Sequence, residues 1–222
     1  MRLIKQQNKG FYMKYLGVLF MSLLATSCAA MEKTGYYKGY ELPPYSVSES
    51  NNNIEIRSYK PQLVAQVTVT GTRDEAAGKG FRILANYIFG DNLSKENVTM
   101  TTPVEQTQIS ERIAMTTPVS QVADGEKWII QFGMPKKYTL DTLPKAKDKQ
   151  ISFKMTEPKD VAVVKFSGRW SDERFKENKM KLEEFISKHK LQALSKPSFA
   201  YYDDPFTLPW NRRNEILIEL KK

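Results

Sequence analysis

The chain holds one cysteine, Cys28, and one histidine, His189, and these counts bound its chemistry. One thiol forms no intramolecular disulfide and no cysteine-based zinc site. One imidazole removes every paired-histidine metal motif and most Ser-His-Asp arrangements. With no nucleophile elbow either, no base–nucleophile pair stands out, and the reading is a binding protein, not an enzyme. What remains is recognition chemistry, carried by thioethers, rings and cations. The thioethers sit in a repeated word: Met100-Thr-Thr-Pro-Val104 returns as Met115-Thr-Thr-Pro-Val119. In each copy the Met, the second Thr and the Val fall two apart and share one face of an extended chain. A proline donates no ladder hydrogen bond, so both copies belong at edge strands, strand ends or bulges. Either the methionines fill the core behind an irregular hairpin, or both line one adaptable pocket.

The cations include Arg212-Arg213, which follow the rigid Pro209-Trp210 turn and precede Glu215. Alternation along an extended chain sends one arginine inward and one outward. The inner one needs a partner: a buried acid such as Glu215 or Asp203, or the carboxylate or phosphate of a ligand.

The elements that position these groups come in two copies. Residues 60–71 (KPQLVAQVTVTG) align with 157–168 (EPKDVAVVKFSG) at a constant offset of 97, Gly71 meeting Gly168. Each copy reads as a strand ending in a glycine turn. A helix follows each time. Thr72 and Glu75 offer a capping box, Ala77, Phe81, Leu84 and Ile88 form an apolar stripe, and Gly90 ends the first helix. Ser171 caps the second, with Phe175, Leu182, Phe185 and Ile186 as its stripe and His189 near its end. Strands are expected after each helix, the MTTPV pair after the first and 198–202 and 215–220 after the second, with further strands at 128–134 and 151–155. The body is thus two β-α-β-β halves, an α+β domain with mostly antiparallel pairing.

The first residues read as an address. Four lysines and arginines up to Lys14 lead into an apolar run ending Leu24-Ala-Thr-Ser-Cys28. This resembles the bacterial lipoprotein signal, in which the cysteine becomes the lipidated first residue. The expected organisation is a signal peptide over 1–27 (starting at Met1 or Met13), a lipidated Cys28 with tether and arm over 28–53, and a folded domain over 54–222. Ala29 after the cysteine resembles the outer-membrane sorting pattern, facing the periplasm if the cell is Gram-negative. The net charge is +9, of which Arg2, Lys5, Lys9 and Lys14 supply four. The remaining excess is spread along the chain, with no nucleic-acid motif.

Several words together carry a family likeness: Phe81–Gly90 (FRILANYIFG), both MTTPV copies, Phe132–Pro135 (FGMP), Val164–Gly168 (VKFSG), Tyr201–Pro205 (YYDDP) and Leu208–Ile216 (LPWNRRNEI). In this order they resemble the SOUL haem-binding protein family. The resemblance implies a distorted antiparallel β-barrel built from a duplicated β-α-β-β unit with two long helices. It also implies non-covalent binding of haem or a related tetrapyrrole in an apolar groove beside the first helix. On the matching positions, Phe81, Leu84, Ala85 and Ile88 would face the ligand, and Lys79 and Arg82 would meet its propionates. The apolar four also fit the plain core face of an amphipathic helix. His189 is a possible axial ligand, or simply a residue suited to a helix C-terminus.

Two alternatives stand beside haem binding. One is a lipid-tethered interaction or envelope module with no small ligand, marked by a filled groove and an exposed apolar patch. The other is a hydrolase-like member of a duplicated effector-binding fold, marked by a pocket with a buried carboxylate and a tyrosine.

Overall fold

A computed structural model of the chain describes residues 35–94 and 110–221. The leader, Cys28 and the first MTTPV copy lie outside these residues. Nine strands form one sheet: β1 (Tyr45–Asn51), β2 (Ile54–Tyr59), β3 (Leu63–Thr70), β4 (Val119–Asp124), β5 (Lys127–Gly133), β6 (Ser152–Met155), β7 (Lys159–Phe166), β8 (Ser198–Tyr201) and β9 (Asn214–Leu220). Two long helices accompany them, α1 (Arg73–Ile88) and α2 (Asp172–Lys188).

The strand order is β6-β3-β5-β4-β8-β9-β7-β2-β1, and every pairing is antiparallel. Its centre is a palindrome. β3-β5-β4 of the first half mirrors β7-β9-β8 of the second, and the halves join where β4 pairs β8. The expected α+β class with a duplicated β-α-β-β unit is therefore what the structure has, its sheet curled as a half-barrel.

The local reasons repeat between the halves. β3 and β7 end at Gly71 and Gly168, whose φ angles of +127° and +121° favour glycine. Thr72 caps α1, accepting from the Glu75 amide while the Glu75 carboxylate accepts from the Thr72 amide. Ser171 caps α2 with one bond, its hydroxyl accepting from the Arg174 amide. Each helix buries its apolar stripe on its own half. Leu84 and Ile88 pack with Val67 and Ile130, while Leu182 and Ile186 pack with Val164 and Ile216.

Strand β1 adds residues read from sequence as tether and arm to the edge of the sheet. It is mostly exposed, and its sequence, YSVSESN, has no apolar alternation to announce it.

Candidate functional site

Beside α1 lies a cavity of about 530 Å³, within the roughly 300–1,000 Å³ usual for small-ligand pockets. Three stretches distant in sequence build it. Asp74, Ala77, Gly78 and Phe81 line it from one face of α1. Met115, Thr116, Thr117 and Val119 line it from the second MTTPV copy. Trp170, Tyr201, Tyr202 and the loop after β8 close it, with Lys38 and Tyr40 from the arm.

The helix meets the cavity with its N-terminal half. Further along, Leu84 and Ile88 turn into the core at 0% and 1% exposure, and Ala85 is buried too. Phe81 shares their side of the helix, about 60° from Leu84 and about 20° from Ile88, but lies one to two turns nearer the N-terminus and stays 40% exposed in the cavity, its ring against Phe132. Met115, Thr116, Thr117 and Val119 all meet the cavity, the chain bending at Thr117 before the strand begins at Val119. Thr117 is fixed there by its amide donating to the Glu41 carbonyl and its hydroxyl to the Tyr202 carbonyl.

The aromatic wall is held from behind. Trp170 donates to Asn214 Oδ1 at 2.7 Å and packs edge-on against Tyr201. The Tyr201 hydroxyl donates to Gln121 and accepts from Arg73 at 2.8 Å. Burial pushes its phenol up to about 12, against the pull of Arg73, so it stays neutral. The charges around the cavity lean acidic. Asp74, Asp203 and Asp204 outnumber the one lysine, Lys38, among the described lining residues; Asp203 is paired with Lys38 at 2.5 Å, Asp74 with Arg73 behind the wall at 2.7 Å, and Asp204 accepts from amides of its own loop.

Of the residues expected at the groove, Phe81 lines the cavity. Leu84, Ala85 and Ile88 do not, because the C-terminal half of the helix is buried against the sheet while its first turns border the cavity. Lys79 extends back to the Thr70 carbonyl at 3.3 Å, and Arg82 is exposed outside the lining. His189 is the C-cap of α2, stacked on Phe185 with Nδ1 2.9 Å from the Phe185 carbonyl, away from the cavity. Among the described residues no cluster of three His, Cys, Asp or Glu could hold a metal ion. Sequence reasoning missed Trp170, the arm and the Tyr201–Thr207 segment as site residues. YYDDP was already a family word, but nothing local ties it to α1.

Behind Tyr202 lies a buried carboxylate, Glu215. Arg57 donates to both its oxygens at 2.8 and 2.9 Å, Arg213 donates twice to Oε1, and Tyr202 donates to Oε2 at 2.7 Å. Five donors saturate the roughly four lone-pair sites of a carboxylate. Burial alone would raise Glu215, but Arg57, then Arg213 and Tyr202, hold it below the usual range. Burial and Glu215 push Tyr202 well up. Such a pair has neither a free base nor an acidic phenol. Arg213 is thus the inner arginine, while Arg212 turns outward over Trp170.

A family model described as SOUL heme-binding protein matches residues 40–219. The chain belongs to the SOUL haem-binding protein family. The match takes in both halves, and it reaches back to Tyr40 of the arm that closes the cavity. Among solved structures, the C-terminal domain of EcmrR is similar at 12% identity, covering 80% of this chain and 98% of that one, with a TM-score of 0.54. An uncharacterized conserved protein from Listeria innocua is similar at 14% identity, covering 77% and 93%, with a TM-score of 0.55. A hydrolase from Listeria innocua is similar at 13% identity, covering 78% and 94%, with a TM-score of 0.51. At such identities these likenesses speak for the fold alone. No curated protein matches the chain in sequence.

Proposed function

We propose that the chain binds haem or a related tetrapyrrole in the cavity between α1 and the Tyr201–Thr207 segment. One observation carries the reading: α1 is open beside Gly78. A Cβ built on Gly78 would meet nothing within 4 Å, whereas one on Gly80 would stand 2.2 Å from Ile130 Cγ1. A bare backbone flanked by Phe81 and Met115, opposite Trp170 and Tyr201, suits the apolar face of a flat macrocycle.

The donor set fits apolar holding better than strong iron ligation. Met115 brings a thioether, the Tyr201 and Tyr202 hydroxyls are engaged, and Lys38 is paired with Asp203. Haem when bound supplies a redox-active iron; the chain's own residues supply apolar contact and orientation. The carboxylates inside oppose propionates, so those groups belong toward solvent, with Lys38 as the lining cation.

That acid excess favours a second ligand class, a flat aromatic cation held by carboxylates and ring faces. Titrating the domain from residue 29 onward with haemin, its dimethyl ester and rhodamine 6G separates the two. Tetrapyrrole binding predicts saturable binding of both porphyrins, the ester at least as tight. Saturation by rhodamine alone transfers the site to cations. Hydrolase chemistry, the label of one structural neighbour, finds no free base in the Tyr202–Glu215 pair.

From sequence, we also propose that Cys28 is lipidated and tethers the domain to the cell envelope. Metabolic labelling with a tritiated fatty acid should mark the chain and spare Cys28→Ser. Equal labelling of both would remove the anchor.

A further inference from the structure

Next to the cavity mouth, three large apolar side chains stand in solvent. Phe206 is 94% exposed, Leu208 52% and Trp210 68%. They alternate along the loop that follows β8. This loop is a built feature. The Asp204 carboxylate accepts from the Phe206 and Thr207 amides at 2.7 and 2.9 Å. Arg212 donates to the Thr207 and Pro205 carbonyls at 2.7 and 2.6 Å. Pro209–Asn211 form a 3₁₀ turn. A loop fixed by five residues of its own holds Phe206 away from the body, although burying it would be favourable.

Its surroundings are basic. Arg169 and Arg174, both exposed, flank Trp210 across a shallow depression, and Arg212 lies behind. Asp204 opposes these three, while Asp203 is paired with Lys38. The arm is fastened to the same place: Tyr37 donates to Asp203 at 3.1 Å and Lys38 to the Asn211 carbonyl at 3.2 Å. Lys38 is ten steps along the chain from Cys28, a reach of at most about 36 Å.

We propose that this loop is a membrane-contact element, seating Phe206, Leu208 and Trp210 at the headgroup–acyl boundary of an anionic bilayer while Arg169 and Arg174 meet lipid phosphates. Phe and Leu enter the acyl edge, Trp prefers the interface, and arginines are drawn to an anionic surface. Protruding side chains suit a fluid phase, since a protein partner would have to offer a matching pocket to each. The tether argument rests on the lipidation proposed above; the loop's own chemistry does not.

The test uses the full chain on phosphatidylglycerol vesicles. A nitroxide is placed at Phe206→Cys, with Glu126→Cys on the β4–β5 turn as control. Chain without an added cysteine reports whether Cys28 is blocked. The label at 206 should be reached by oxygen and shielded from a polar nickel chelate, and the label at 126 should stay aqueous. Arg169→Glu with Arg174→Glu should lessen the shielding, as should vesicles of phosphatidylcholine. If Cys28 proves free, the lipid anchor fails by itself. Sedimentation with anionic vesicles, abolished by Phe206→Ser with Trp210→Ser, then carries the loop. An aqueous label at 206 on anionic vesicles overturns the proposal. So does equal shielding without lipid, which would assign the loop to a second copy of the chain.

Discussion

Arg57 and Glu215 share two hydrogen bonds, at 2.8 and 2.9 Å, with no side-chain surface of either exposed. They lie on strands that do not pair with each other; β7 stands between them. The pair therefore clamps three neighbouring strands, β9, β7 and β2. Removing Arg57 leaves Glu215 with Arg213 and Tyr202 but loses two buried charge-assisted hydrogen bonds, which costs roughly 3 kcal/mol or more. Arg57→Ala should lower the unfolding free energy by that amount, read as a lower urea midpoint with little change in slope. An unchanged midpoint would mean that water enters and solvates Glu215.

The same cluster sets an acid limit. Glu215 and Glu55 are both held below their ordinary value in the fold, burial opposing and Arg57 with Arg213 or Lys165 prevailing. Depressed carboxylates contribute stability that is full above the unfolded value, about 4.3, and is lost as pH falls through the folded value. Unfolding free energy should drop steeply below about pH 4. In Glu215→Gln that drop should be smaller, on a lower baseline.

The two glycines of α1 should respond in opposite senses. Gly80→Ala drives a methyl into Ile130, and overpacking of this kind costs roughly 1–3 kcal/mol, more than the helix propensity gained. Gly78→Ala meets open space and should stabilise by roughly 0.5–1 kcal/mol. Thermal unfolding of both variants checks the contrast.

Much of the fold was legible because each half states it separately. Strand, glycine turn, capped helix and two strands recur in the same order, the first strand and its glycine at one offset, so local signals agree twice. Strand β1 escaped because an edge strand with Ser, Glu and Asn facing water has no periodicity to read. The site was legible only in part. Phe81 and Met115 carry the apolar character that a ligand wall needs. Leu84 and Ile88 carry it equally and share Phe81's side of the helix, and only packing tells the turns that meet the core from the turns that border the cavity. The wall opposite α1 comes from Trp170 and Tyr201–Thr207, about a hundred residues away, and no local pattern announces such a meeting.

The cations expected beside the groove give a sharp check. Lys79 and Arg82 stand outside the cavity lining, so Lys79→Ala and Arg82→Ala should leave haemin affinity within about twofold. Phe81→Asp places a charge against the apolar wall and should weaken it at least about tenfold, since 1.4 kcal/mol suffices. His189→Ala should leave the Soret band of the bound state unmoved. A displaced band would bring the end of α2 into the site.

The proposed loop contact bears on the cavity as well. Asp204, Pro205 and Thr207 belong to both, so a cavity that holds a tetrapyrrole would open beside the bilayer if the loop rests on it.

The most direct test of the account is a haemin titration of wild type against Gly78→Leu, followed by the Soret band and tryptophan quenching. Leucine favours the helix and, at Gly78, projects into the cavity, so the variant should fold while losing the site. The account predicts a saturable one-to-one transition in wild type and its loss in Gly78→Leu. Equal binding by both proteins, or no wild-type transition beyond that of an unrelated basic protein, would contradict it.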